Sequence, residues 1–111
     1  MRMLVPEGVP ESVVLAVVAI NARNADAFLL AFHPDATLDD RGVVSRGTQQ
    51  IGQWGDTWVR ALGVTLESVI FVPSPAVTEL RARWRCADVT EPLSFSFVVV
   101  DELVSALSIA R

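Results

Sequence analysis

The sequence predicts an α+β fold: one strongly curved antiparallel sheet, about four long strands plus two short ones, wrapped around three N-terminal helices. Three observations carry this. Apolar residues recur at helical spacing before residue 64, the period changes to two after it, and Pro, Gly and Asp pairs punctuate the second half at hairpin intervals. The chain has 111 residues, 51% of them hydrophobic, which reads as a single domain spanning residues 1–111. A chain of this size buries roughly two-thirds of its unfolded surface, so it needs no disulfide or structural metal to fold.

After Pro10, Glu11 and Ser12 open a helix in which Val13, Val14, Val17, Val18 and Ile20 share one broad face, ending near Asn21 to Asn24. Asn24 caps a second short helix over residues 25–32, with Asp26 favourably placed in its first turn and Phe28, Leu29 and Phe32 inward; Pro34 stops it. A brief extended run, 36–40, turns at Arg41-Gly42 into a second, 43–46. Gly47 and Thr48 launch the third helix, which carries Ile51, Trp54, Trp58 and Leu62 as an inner stripe. A strand over 64–72 ends at Pro73-Ser74-Pro75. In the next, 76–87, Leu80, Ala82, Trp84 and Cys86 alternate with Glu79, Arg81, Arg83 and Arg85. Residues 88–92 form a turn, Leu93, Phe95, Phe97 and Val99 define the following strand, Asp101-Glu102 turns again, and 103–110 closes the sheet.

Composition narrows the chemistry. The formal net charge is −4, and every one of the nine basic residues is Arg. An acidic chain lacks the clustered positive charge that nucleic acid requires, so no nucleic-acid partner is expected. Without Lys or Tyr there is no Schiff-base lysine and no tyrosine acid. One His and one Cys fall short of a zinc site and of a disulfide framework, so no metal and no cofactor are expected. The longest apolar runs, 13–20 and 95–100, are far below the ~20 residues needed to span a bilayer. An early Pro, Glu and Gly break the pattern of a signal peptide, which makes the cytoplasm the expected compartment and leaves no membrane partner.

The stretch Ala-Ile-Asn-Ala-Arg-Asn-Ala-Asp-Ala-Phe-Leu-Leu-Ala-Phe-His-Pro-Asp-Ala-Thr-Leu-Asp-Asp-Arg-Gly (19–42), followed by Ser-Arg-Gly-Thr-Gln-Gln-Ile (45–51), resembles the nuclear transport factor 2-like superfamily, in particular its SnoaL-like and ketosteroid-isomerase-like branch. The later hairpins match in order and length. The resemblance implies a cone whose mouth opens on an apolar cavity between the helices and the concave sheet. It places a general base at Asp40. The family's tyrosine falls on Ala16 and its protonated acid within 93–97, where no residue is acidic. Lacking both oxyanion donors, such a site would lose several kcal/mol of transition-state stabilisation, so ketosteroid isomerisation itself is not expected.

The candidate catalytic residues are Asp40 and His33. A carboxylate at the mouth of an apolar cavity is suited to proton transfer; otherwise Asp39 and Asp40 serve the turn at Arg41-Gly42, or Asp40 pairs with Arg41 or Arg46. His33 either relays a proton or closes the second helix by bonding its last carbonyls. Cys86, on an apolar strand face, reads as a buried inert thiol. The candidate substrate-binding residues are Val17, Phe28, Phe32, Trp54, Trp58, Trp84, Phe95 and Phe97, which suit an apolar or aromatic small molecule. Arg81, Arg83 and Arg85 occupy the convex face unless the register slips by one. The resemblance also implies a homodimer through that face, where Val69, Phe71, Val98 and Val100 remain as apolar residues. Two functional classes follow: a small cofactor-independent enzyme (isomerase, cyclase, hydratase or epoxide-opening) using Asp40 as base, and a non-catalytic binding or dimerisation module.

Overall fold

The structure, a computed structural model, describes residues 3–111. Helix α1 (Glu11–Asn21) presents Val13, Ala16, Val17 and Ile20 to the core, while Val18 turns outward at 49% exposure. Asn24 caps α2 (Ala25–Leu30), its side-chain oxygen accepting the Ala27 N–H. This helix is shorter than its apolar pattern suggests. Its following carbonyl, on Ala31, accepts the Val104 N–H, and Pro34 pushes the residue before it to extended geometry. Phe32 and His33 therefore begin strand β1 (Phe32–Asp40) instead of ending a helix.

A two-residue turn, Arg41-Gly42, joins β1 to the short β2 (Val43–Arg46). Both turn residues have positive φ, 51° and 99°, as the tight hairpin turns that match strand twist require. Helix α3 (Gly47–Gly55) continues into a π-helical segment, Asp56–Ala61, in which the Leu62 N–H reaches back five residues to the Thr57 carbonyl. The wider turns rotate the end of the helix. Val59 is fully buried, and Leu62, expected inside, is half exposed. The Arg23 guanidinium donates to the carbonyls of Arg60 and Ala61 at this end. Gly63 (φ 60°) leaves room for it, since a Cβ there would stand 2.7 Å from Arg23 Nε.

Four strands complete the sheet: β3 (Thr65–Pro73), β4 (Thr78–Cys86), β5 (Val89–Val100) and β6 (Leu103–Ala110), in the order β2-β1-β6-β5-β4-β3. Neighbours are antiparallel except β1 and β6, which run parallel. With β1 nine residues long, β2 alone is short. A bulge at Ser68 (φ 53°) shifts the register of β3, so Leu66 and Phe71, an odd five positions apart, both face inward. Phe71 thus belongs to the core, not to the convex face; Ile70 and Val72 take the outer positions. The β4–β5 turn is only Ala87-Asp88, and β5 starts at Val89, well inside the expected 88–92 turn. Pro92 is tolerated there because β6 pairs with β5 only from Ser94 onward, which leaves one side of β5 open to solvent at Pro92. Arg81, Arg83 and Arg85 are exposed and Leu80, Ala82 and Trp84 buried, so the register of β4 follows the alternation in the sequence. Among the described residues, no helix is long and apolar enough to cross a membrane.

Candidate functional site

Strand alternation on β1 buries Ala36, Leu38 and Asp40 on the concave face. Asp40 is 7% exposed and is the one buried ionisable side chain among the described residues. Its neighbour takes the other role open to an aspartate at this turn: Asp39 Oδ1 accepts the Gly42 N–H at 2.8 Å. The Asp40 carboxylate is held at both oxygens. Arg41 Nε donates to Oδ1 at 2.7 Å, and the Trp54 indole N–H donates to Oδ2 at 3.0 Å.

The same guanidinium donates from Nη1 to Glu91 Oε1 at 2.6 Å. Glu91 faces inward because it continues, two residues back, the alternation of Leu93, Phe95 and Phe97 on β5, opposite Trp84. Arg111 Nε approaches the second Glu91 oxygen at 3.4 Å from the exposed rim. The Arg41 guanidinium also lies 5.2 Å from the Trp84 ring centroid and 5.9 Å from that of Trp58. The hydrogen bond to Asp40 is the main cause that raises the Arg41 pKa, with burial opposing it and Glu91 adding to the rise.

Behind this charged cluster the aromatic rings form a continuous chain. Phe32 tilts on Phe28, Phe28 stacks on Trp54, Trp54 and Trp58 both meet Trp84, and Phe95 links Trp84 to Phe97. Val17, Phe28, Phe95 and Phe97 are at most 1% exposed, so the centre of the concave face is packed solid. Trp54 and Trp58 border a surface depression of about 400 Å³, shared with Val44, Ser45, Gln50, Gln53 and Thr57. Two further depressions, about 470 and 800 Å³, lie by the opposite strand ends, around Pro73–Thr78 and around Leu15 and Leu30.

His33 does not join Asp40. The two stand at opposite ends of β1, seven residues or roughly 20 Å apart at ~3.3 Å per residue. Cys86, at the last position of β4, is half-buried. Sequence reasoning missed Glu91, which it put in a turn on account of Pro92, and it missed the meeting of Trp54 with Asp40. The alternation of β5 was the available signal for the first. For the second it was the rule that a buried indole N–H finds an acceptor.

Neither a protein-family model nor a curated protein matches the sequence. Among solved structures, the chain is similar to a candidate polyketide cyclase from Sinorhizobium meliloti, with a TM-score of 0.81 at 24% identity over 91% of this chain and 94% of that one. The chain has the nuclear transport factor 2-like fold. Another structure of this fold is a hypothetical protein with a ketosteroid isomerase-like fold from Catenulispora acidiphila, in complex with trimethylamine (TM-score 0.75, 18% identity, 93% of this chain and 86% of that one). A third is TerC co-crystallised with polyporic acid (TM-score 0.75, 15% identity, 89% and 87%). At these identities the nuclear transport factor 2-like fold is what is shared, and the reaction must be argued from the residues.

Proposed function

We propose that the chain is a small cofactor-independent pocket protein in which Asp40 transfers a proton on an apolar or aromatic small molecule, in chemistry of the isomerase, cyclase or hydratase type. The observation that carries this reading is the placement of Asp40: a carboxylate on the concave face, nearly sealed from water, and oriented from two sides by Trp54 and Arg41. A carboxylate has about four lone-pair sites. Two are engaged here, which leaves acceptor capacity for a substrate C–H or O–H proton. Taking that proton as base and returning it at another position as acid leaves Asp40 unchanged at the end of the cycle. The adjacent guanidinium is suited to stabilise negative charge developing on a substrate oxygen. That two structures of the same fold hold small organic molecules supports a small-molecule ligand. The test is uptake and turnover across a hydrophobic and aromatic library, read by tryptophan fluorescence and product analysis. Turnover that persists in Asp40→Asn would exclude Asp40 as the base.

A second reading, a non-catalytic binding or dimerisation module, is favoured by the solid packing of Phe28, Phe95 and Phe97. In either case a homodimer through the convex face is part of the proposal. Small side chains there, Ser94, Ser96, Ala106 and Ser108, are separated by Glu79 and Arg81 of β4 from the exposed Ile70 and Val72 of β3.

A further inference from the structure

Helix α1 begins without a side-chain cap, and the residues this leaves open line a depression of their own. From them we infer a second binding site, at the end of β1 opposite Asp40, for a neutral carbonyl compound with an aliphatic body, an amide foremost. The position before the helix is Pro10, which carries no side-chain acceptor, and its carbonyl takes the N–H groups of Val13 and Val14. The N–H groups of Glu11 and Ser12 have no carbonyl one turn earlier to bond, as at any helix start. A Ser, Thr, Asp or Asn in place of Pro10 would ordinarily cover one of these donors.

Ser12 supplies an independent observation. It is 6% exposed, and its hydroxyl is the one buried side-chain polar atom among the described residues with no hydrogen-bond partner. Buried hydroxyls are otherwise bonded, because an unmade bond forfeits the hydration lost on burial. Ser12 is also part of the wall of the 800 Å³ depression, beside Pro10 and Glu11. A group entering there can supply the bond that the chain does not.

The rest of the wall decides the chemistry of the occupant. Leu15 and Leu30 are 39% and 73% exposed, and with Leu103 they offer an apolar surface on which an aliphatic chain gains burial. The head group meets the hydroxyl of Ser12 and the two open N–H groups, and such donors call for an oxygen acceptor. Every ionisable residue of the wall, Glu11, Asp101 and Glu102, is acidic, so a carboxylate head would meet like charge and a neutral carbonyl does not. The NH₂ of a primary amide finds acceptors in those same carboxylates. Ala31, also in the wall, directly precedes β1, and Asp40 ends that strand eight residues after Phe32, or roughly 25 Å away at ~3.3 Å per residue. Occupancy here and proton transfer at Asp40 are therefore separate events.

The test is a titration with hexanamide at constant pH and ionic strength, following the backbone amide signals by NMR, with hexanoate and hexylammonium as charged counterparts of equal chain length. Expected is a saturable shift at Glu11 and Ser12, with hexanamide bound several-fold tighter than either ion. Ser12→Ala should weaken binding by roughly three- to tenfold, the loss of one hydrogen bond. It should not lower the urea midpoint of the free chain, since the hydroxyl removed has no partner there and Ala favours a helix. Replacing Asp101-Glu102 by Asn-Gly, which suits the positive φ of that turn, removes two of the three acidic side chains and should narrow the gap between hexanamide and hexanoate. No saturable shift, binding of either ion as tight as that of hexanamide, an unchanged gap in the turn variant, or unchanged affinity in Ser12→Ala would each overturn the proposal. So would a lowered midpoint in Ser12→Ala, which would mean that the hydroxyl is satisfied within the chain. Ser12→Cys, close in size and a much weaker donor, is held to the same affinity criterion should Ser12→Ala not fold.

Discussion

Two adjacent aspartates divide two jobs that sequence alone leaves undivided. Asp39 closes the turn and Asp40 points inward, because side chains on a strand alternate and Leu38 anchors the phase. The family resemblance pointed to Asp40, and that only one of the two faces inward was legible from strand alternation. The partners were not, since Trp54 is fourteen and Glu91 fifty positions distant from the residues they bond, and only the folded sheet brings them together. Asp40→Asn leaves Arg41 with Glu91 alone, and is expected to lower stability by about 2 kcal/mol in urea unfolding, below the full cost of breaking a buried pair because Arg41 is partly exposed. Trp54→Phe keeps the ring stack and removes the indole donor, at an expected cost of about 1 kcal/mol. The pH dependence has a definite sign. The Arg41 pKa is raised by Asp40, so its stabilising contribution is complete below the ordinary arginine range and is lost only as pH rises through the higher folded value. A stability profile across neutral pH should show no slope from this group.

At the level of elements, strands with strict alternation were legible and departures from regular geometry were not. The β4 pattern of buried Leu80, Ala82 and Trp84 against three exposed arginines is read correctly from spacing. The bulge at Ser68 carries no glycine to mark it, so Phe71 was assigned to the wrong face. Likewise Trp54, Trp58 and Leu62 fit an α-helical stripe, and nothing local reveals that the helix widens after Gly55. One departure is open to improvement. The β5–β6 turn places Asp101 and Glu102 at φ 49° and 70°, a conformation that costs a residue with a Cβ. Replacing the pair by Asn-Gly should raise the urea midpoint with an unchanged slope, a gain of about 1 kcal/mol.

For the whole molecule, composition and the order of helices before hairpins were enough to indicate an α+β layout, as the observed sheet and three helices show. The parallel pairing of β1 with β6 was not legible, because it joins segments with most of the chain between them. The proposed dimer belongs to this scale. Val98→Glu, on the convex face opposite Ala106, should convert a dimer to a monomer in sedimentation equilibrium without changing the far-ultraviolet circular dichroism. An unaltered chain that sediments as a monomer would remove the dimer from the proposal.

That parallel pairing also sets an order of assembly. β1 carries Asp40 but has only the four-residue β2 on one side until residues 103–110 arrive on the other, where the Ile109 carbonyl receives the Arg41 N–H. Contacts this distant along the chain are slow to close. During synthesis, the helices and the β3–β4 hairpin have their partners long before Asp40 does. The charged cluster is thus tied to closure of the β1–β6 pair, and loss of residues 103–110 is expected to unseat Asp40 and Phe32 together, since both lie on β1.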